Sequence, residues 1–218
     1  MSKNKEINAM KIISLYMSYI LEHNSKPTSV FSFAKNNKFE EATFYQFFAS
    51  FEAIEKSIFN VFFENAIGVL EKSKDYQTFD ARNKLLSFYY TFFEILTSNR
   101  SFIISTLDTN NLDFSKLNSL STLRTSFATY IDSLEIETID FKQKNIEQIQ
   151  QKSIKETAWI QLLVTLKFWI NDSSTSFEKT DVFIEKSVNT SFDLINSTPL
   201  KSIIDLGKFL YKEKMNIN

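Results

Sequence analysis

Apolar residues recur every three or four positions along almost the whole chain, the spacing that lines one face of an α-helix. The pattern predicts a first helix from about Met10 to Asn24, because Pro27 disfavours helical backbone in the residue before it. Thr28 is expected to cap a short second helix, and the stretch FEEATFYQFF is expected to form a third. Ser50 is predicted to cap a long fourth helix.

The predicted domain boundary follows the fourth helix. That helix, at 50–71, is expected to connect a three-helix head at 1–50 to a larger helical body at 72–218. The boundary is placed near Lys72, where the polar stretch KSKDYQT lies between periodic segments. About ten helices are expected in all. Asp80 is expected to cap the fifth helix, and apolar patterns predict shorter helices around 102–107 and 116–134. The capping boxes Ser153-x-x-Glu156 and Thr175-x-x-Glu178 and the dipeptide Thr198-Pro199 mark the starts of three later helices.

Composition narrows the classes of fold and function. The 218 residues include 2 glycines, 2 prolines, 1 histidine and no cysteine. So few turn-forming residues exclude folds of many short strands, and no glycine-rich phosphate loop can be written. The same inventory supplies no nucleophile–base set and no metal cluster, so we expect no catalytic residues, no metal and no cofactor. The fold is therefore predicted to be all-α and the protein not to be an enzyme.

Charge and hydropathy bear on two questions, namely attraction to nucleic acid and the cellular compartment. The 25 basic and 26 acidic residues give a net charge of −1, so the protein has no overall basic field of the kind that attracts nucleic acid. The most apolar stretch, 159–170, is too short and too polar to span a bilayer, and no signal peptide is seen at the N-terminus. Together with the absence of cysteine, these features predict a cytoplasmic protein.

The head carries the motif of a known family. The stretch TSVFSFAKNNKFEEATFYQFFASFEAI resembles the helix-turn-helix head of the TetR family of bacterial transcriptional regulators. In that family a threonine opens the second helix, an A-x-x-x-G-[VF]-S turn follows, and the third helix reads G-T-[LF]-Y-x-x-F. The matching residues here are Thr28, Ala34, Phe39, Thr43, Phe44, Tyr45, Phe48, Ser50, Glu52 and Ile54.

The resemblance implies a TetR-like fold in which the head binds double-stranded DNA. Members of the family are homodimers that pair through their last two main helices and hold a small ligand inside the body. The DNA-contacting residues expected from the family positions and from the basic second helix are Thr28, Lys35, Lys38, Thr43 and Tyr45. Four of these residues have a structural alternative, which is capping for Thr28, packing for Tyr45 and solvation for the two lysines.

The head also departs from the family pattern. The family lysine that touches a DNA phosphate at the start of the fourth helix is Phe51 here, and Glu40 and Glu41 enter the third helix. Residues 39–55 contain four acids and no base, whereas phosphate contacts come mainly from lysine and arginine. The bases of this region, Lys26, Lys35 and Lys38, all precede it.

Two sets of apolar residues in the body are candidates for binding. Aromatic side chains crowd one helix and can either line a ligand pocket or fill a bulky core. Two later helices are apolar on wide faces, which favours a four-helix dimer interface over a purely intrachain core. The predicted pocket comprises Phe88, Tyr89, Phe92, Phe93, Arg124 and Trp159, and the predicted dimer interface comprises Trp159, Leu163, Leu166, Ile184, Val188 and Phe192.

Two functions remain open at this point. The first is a one-component regulator in which a small apolar ligand changes operator affinity. The second is a lipid- or isoprenoid-binding accessory protein that has lost DNA binding, similar in architecture to the TetR-fold lipid-binding protein of ubiquinone biosynthesis. The last helix, PLKSIIDLGKFLYKEK, is basic and amphipathic, so contact with a membrane surface is an alternative to packing on the body, which is favoured.

Overall fold

The computed structural model describes residues 7–107, 116–136 and 144–195, and every regular element within these ranges is helical. The predicted all-α class is therefore confirmed for the described residues, whereas the helix predicted from Thr198 lies outside them. The α-helices are α1 Ala9–His23, α2 Val30–Asn36, α3 Glu41–Phe47, α4 Phe51–Leu70, α5 Lys74–Thr78, α6 Ala81–Ser98, α7 Arg100–Thr106, α8 Ser121–Ser133, α9 Lys144–Asn171 and α10 Glu178–Ile195, with 3-10 turns at Lys116–Leu120 and Thr175–Phe177.

The chain divides into two compact units. Unit 1 comprises the described parts of 1–72 and 91–127, and unit 2 comprises those of 73–90 and 128–218. Within unit 1, α1 packs against α7, α2 against α3, and α4 against the first 3-10 turn. Within unit 2, α10 packs against α9. The predicted limits of the head, the connecting helix and the body stay a prediction.

The N-terminal helices of unit 1 meet in a core of aromatic rings. The side chains of Tyr16, Phe33 and Phe44 are almost completely buried. The Phe51 ring stacks on Tyr16 at a centroid distance of 5.4 Å and meets Phe33 and Phe44 edge-on at 5.6 and 5.5 Å. Stacked and edge-to-face pairs stabilise a core beyond the area they bury. These contacts therefore fix α1, α2, α3 and the start of α4 to one another.

Local capping signals placed the ends of several helices correctly. Asn24 ends α1 in the left-handed conformation, and the Ser50 hydroxyl accepts a hydrogen bond from the Ala53 amide at the start of α4. Asp80 likewise accepts from the Asn83 amide at the start of α6. The expectation for α2 is wrong by one residue, because its cap is Ser29, whose hydroxyl oxygen accepts from the amide of Ser32, and not Thr28.

Two stretches that follow α4 differ from the sequence prediction. The polar stretch KSKDYQT, expected to lie between helical segments, contains α5. The Tyr76 side chain of α5 is buried in unit 2. The Tyr76 and Tyr130 hydroxyls lie 3.0 Å apart, and the Tyr130 hydroxyl donates to the Lys84 carbonyl. The capping box at Ser153 is also wrong, because α9 begins at Lys144 and runs through that position without a break.

The turn between α9 and α10 is organised by one carboxylate. Asp172 Oδ1 accepts hydrogen bonds from the backbone amide and hydroxyl of Ser174, and Oδ2 accepts from the amide and hydroxyl of Thr180. Although burial raises the pKa of Asp172, these hydrogen bonds outweigh it and hold the pKa well below its usual value. The capping box expected at Thr175 is therefore wrong, since Thr175–Phe177 forms a 3-10 turn and Asp172 accepts from the first turn of α10.

We expect Asp172→Asn to lower the melting temperature at pH 7 by roughly 5 °C, because an amide cannot accept all four hydrogen bonds. A carboxyl whose pKa is lower in the folded state contributes stability above its unfolded pKa of about 4 and loses it as the pH falls further. The difference between the native protein and the variant should therefore shrink below about pH 4. Thermal unfolding followed by circular dichroism from pH 7 to pH 3 measures this difference.

Asp132→Asn is the matched control for that experiment, because Asp132 is an exposed carboxylate that pairs with Lys155. Surface ion pairs contribute little to stability, so this variant should unfold close to the native temperature. An Asp172→Asn variant as stable as Asp132→Asn at pH 7 would show that the carboxylate does not hold the turn.

Candidate functional site

The α2–turn–α3 segment has the proportions of a helix-turn-helix. Both helices have seven residues, and the turn between them is closed by a hydrogen bond from the Phe39 amide to the Ala34 carbonyl. Lys38 has φ 60°, a left-handed conformation that favours glycine. This position corresponds to the turn glycine of the TetR pattern. The chain therefore keeps the turn geometry, with some backbone strain because Lys38 has a side chain.

The predicted DNA-contacting residues are mostly accessible. Thr28, Lys35, Lys38 and Tyr45 are exposed, and Thr43 is half-buried. Tyr45 leaves 54% of its surface exposed while its ring meets buried Phe44 edge-on at 5.4 Å. The hydroxyl of Thr28 lies 3.3 Å from that of Ser32, which also accepts a hydrogen bond from the Ser29 hydroxyl. Thr28 therefore belongs to a cluster of three hydroxyls at the start of α2. The DNA-binding role of these residues stays a prediction.

An open groove beside the turn carries charges of both signs. It has a volume of about 580 Å³, and its lining includes Lys35, Lys38, Glu40 and Glu41. The Lys35 ammonium lies 5.9 Å from the centroid of the Phe31 ring. The two lysines and the two glutamates offset one another in this groove, so the positive field available to a phosphate is weaker than the lysines alone suggest.

The third base of this region, Lys26, serves a different purpose. Its ammonium donates to Glu55 Oε2 at 2.9 Å, and the Tyr16 hydroxyl donates to Glu55 Oε1 at 2.7 Å. Burial, together with the bond to Glu55, raises the pKa of Tyr16 far above its ordinary value. The network joins α1, the segment before α2, and α4. Sequence reasoning counted Glu55 only among the four acids of residues 39–55, and no local signal indicated its distant partners.

The aromatic residues proposed for the ligand pocket are buried. Phe88, Tyr89 and Trp159 belong to unit 2, where Phe88 meets the Tyr130 ring at 4.9 Å. Phe92 and Phe93 belong to unit 1 and pack edge-on at 5.9 Å. Arg124, also of unit 1, is exposed on α8. The ligand pocket in the body therefore stays a prediction.

Most of the residues predicted for a dimer interface are buried within their own chain, and their role at an interface stays a prediction. Leu163 is half-buried, and the other five side chains pack inside their own chain with less than 9% of their surface exposed. A side chain buried in this way has little surface left for a partner. The five buried residues are Trp159, Leu166, Ile184, Val188 and Phe192.

The same two helices nevertheless present apolar side chains outward. Ile160, Val164 and Phe168 follow one another at intervals of four along α9 and are 59%, 49% and 37% exposed. On α10, Val182 is 48% exposed, and the Phe183 ring stacks on Phe168 at a centroid distance of 4.6 Å. We call these five residues the α9–α10 face. Clefts of about 380 and 460 Å³ adjoin Phe168, the first lined by Val164 and the second by Val182 and Phe183.

Two further features bear on function. Within residues 7–107, 116–136 and 144–195, no helix is both long enough and apolar enough to cross a membrane. The same ranges contain no group of three histidine or carboxylate residues placed to hold a metal ion.

Comparison with known proteins identifies the class of this chain. The family model described as "Tetracyclin repressor-like, C-terminal domain" matches residues 84–210, which is more than half of the chain. The protein therefore belongs to the TetR family, the tetracyclin repressor-like proteins. The match covers most of the predicted body, whereas the resemblance at residues 28–54 covers part of the head. A search of curated proteins finds no match.

Proposed function

We propose that this protein is a homodimeric, one-component transcriptional regulator that binds operator DNA through its N-terminal helices and a small apolar ligand in its body. The observation that carries the proposal is the family match over residues 84–210, together with the helix-turn-helix geometry of α2 and α3. Such a regulator acts where the DNA is, in the cytoplasm. The family match also favours it over the lipid-binding accessory protein.

In the proposed complex, α3 lies in the major groove and α2 lies across the backbone. Tyr45 and Lys35 are both exposed, so a phosphate can reach the phenol hydroxyl of the first and the ammonium of the second. A dimer presents two such heads and is expected to hold two half-sites about one helical turn or more apart. Ligand binding in the body then changes DNA affinity by favouring one arrangement of the heads.

The proposed dimer is built from the α9–α10 face. Exposed apolar side chains on two packed helices need a partner surface, and a second copy supplies an identical one. The clefts beside Phe168 are available to the side chains of the partner. Two helices from each subunit would then form a four-helix interface.

We expect Lys35→Ala and Tyr45→Phe each to weaken DNA binding by about tenfold, across DNA sequences alike, because phosphate contacts carry no base information. Lys35→Ala should also reduce the dependence of affinity on salt, since one fewer counterion is released. Fluorescence anisotropy with labelled DNA from the protein's own upstream region, at about 50 and about 200 mM salt, measures both quantities.

Lys152→Ala is the control, because it removes an exposed lysine of α9 that the proposal does not place on DNA. Saturable binding that unrelated competitor DNA does not displace supports the regulator. Failure of the native protein to bind any DNA at the lower salt concentration would refute the proposal and return the lipid-binding alternative to consideration.

A further inference from the structure

Unit 1 contains a second cavity, of about 350 Å³, that the proposed regulator does not use. It lies among the C-terminal end of α1 and the following turn, the first turns of α4, the end of α7 and the first 3-10 turn. Its volume is within the range of small-molecule sites. All of its lining residues except Ile20 carry polar or charged side chains, in contrast to the apolar pocket expected in the body.

Four charged side chains line this cavity, and two of them already have strong partners. Glu55 accepts hydrogen bonds at both carboxylate oxygens, and Lys26 is its ion-pair partner. The other two are Glu52 and Lys56, which lie four residues apart on α4 and therefore on the same face of the helix. Lys56 is half-buried, and its ammonium makes no hydrogen bond or ion pair with any residue that the structure describes.

Glu52 remains a carboxylate ready to accept further hydrogen bonds. Its own backbone amide and the Ser50 hydroxyl lower its pKa, and the charges of Lys26 and Lys56 act in the same direction. A carboxylate held ionised at the edge of a cavity attracts a ligand ammonium. It forms no ion pair with a side chain in the described ranges.

The neutral lining residues favour the same ligand chemistry. The hydroxyls of Ser105 and Thr106 donate to carbonyls one turn earlier in α7, so their oxygens are left to accept from a ligand. Asn24 and Asn118 also line the cavity, and their side-chain amides can donate to a ligand carboxylate. The cavity thus offers both acceptors and donors around a charged pair.

We propose that this cavity binds a small zwitterion with the chemistry of a free α-amino acid, its carboxylate on Lys56 and its ammonium on Glu52. The charged lining comprises two ammonium and two carboxylate groups, so a ligand with one net charge would leave one of these groups without compensation. A neutral zwitterion supplies a carboxylate for the Lys56 ammonium and an ammonium for the Glu52 carboxylate. The site does not depend on DNA binding, so its test is independent of the proposed function.

The first experiment asks whether amino acids bind to the full-length protein. Each of the twenty standard amino acids is added separately, thermal unfolding shows which of them stabilises the protein, and calorimetry gives its Kd. The N-acetyl derivative of that amino acid lacks the ammonium, and its amide lacks the carboxylate. We expect each derivative to bind at least about tenfold more weakly. A protein that binds none of the amino acids, or that binds the N-acetyl derivative equally well, would overturn the proposal.

The second experiment assigns the two charges. Lys56→Gln and Glu52→Gln should each raise the Kd of the amino acid at least about tenfold, whereas Lys72→Gln, an exposed lysine outside the cavity lining, should leave it unchanged. Circular dichroism checks that each variant is folded. Unchanged affinity in the folded Lys56→Gln and Glu52→Gln variants would place the amino acid elsewhere and refute the site.

Discussion

Val164→Glu is expected to convert the proposed dimer into a monomer, raising the dimer dissociation constant at least about 100-fold. Val164 lies between Ile160 and Phe168 on the α9 side of the α9–α10 face, and it is 49% exposed in the single chain. In a dimer built on the α9–α10 face, the substitution would place a carboxylate among the apolar side chains of the interface in each copy and remove it from water. Sedimentation velocity over a dilution series measures the effect directly.

Val69→Glu is the matched control, because Val69 is 55% exposed on α4 and lies outside the α9–α10 face. Val188→Ala separates the interface predicted from the sequence from the α9–α10 face. Because Val188 is buried within its own chain, this substitution should lower stability without weakening the dimer. A Val164→Glu protein that dimerises as tightly as Val69→Glu would exclude this face.

The register of α9 shows why periodicity predicted a helix here but not which of its faces is buried within the chain. Trp159, Leu162 and Leu166 are buried within the chain, while Ile160 and Val164 on the other side are exposed. Because both faces are apolar, the spacing of three and four fits either of them. Only the packing of α9 against α10 decides which face is covered, and that information does not lie in a single helix.

Local and distant interactions differ in how far the sequence predicts them. The caps at Ser50 and Asp80 depend on residues three positions away, and both were predicted. The partners of Glu55 lie 39 and 29 residues away, and its acidic character at the start of α4 already had a sufficient local explanation. The polar cavity that includes Glu55 therefore became visible only when α1, α4 and α7 were placed together.

Phe51 is a second position at which tertiary packing changes the interpretation. The family comparison treats it as a missing phosphate-binding lysine. The structure shows that its ring occupies the aromatic core of the N-terminal helices, in contact with Tyr16, Phe33 and Phe44. The residue therefore contributes to stability at a position where the family uses a charge.

We expect Phe51→Lys to lower the free energy of unfolding by about 3 kcal/mol, because it removes three aromatic contacts and leaves an ammonium that must reach solvent. Phe51→Leu is the control, since an apolar side chain retains part of the burial, and its expected cost is about 1 kcal/mol. Urea denaturation followed by circular dichroism measures both variants. A Phe51→Leu variant as stable as the native protein would show that the ring contacts contribute nothing beyond apolar burial, and a Phe51→Lys variant as stable as Phe51→Leu would show that the ammonium costs nothing at this position.

The same variant tests how DNA binding depends on this position. Because the lysine would leave the head less stable and Glu40 and Glu41 would remain in the groove, we expect little gain in DNA affinity at a temperature where Phe51→Lys is folded. Anisotropy at about 50 mM salt measures it. A clear gain would mean that the absent lysine, and not the acidic groove, limits docking, and that the aromatic core was kept at the expense of affinity for DNA.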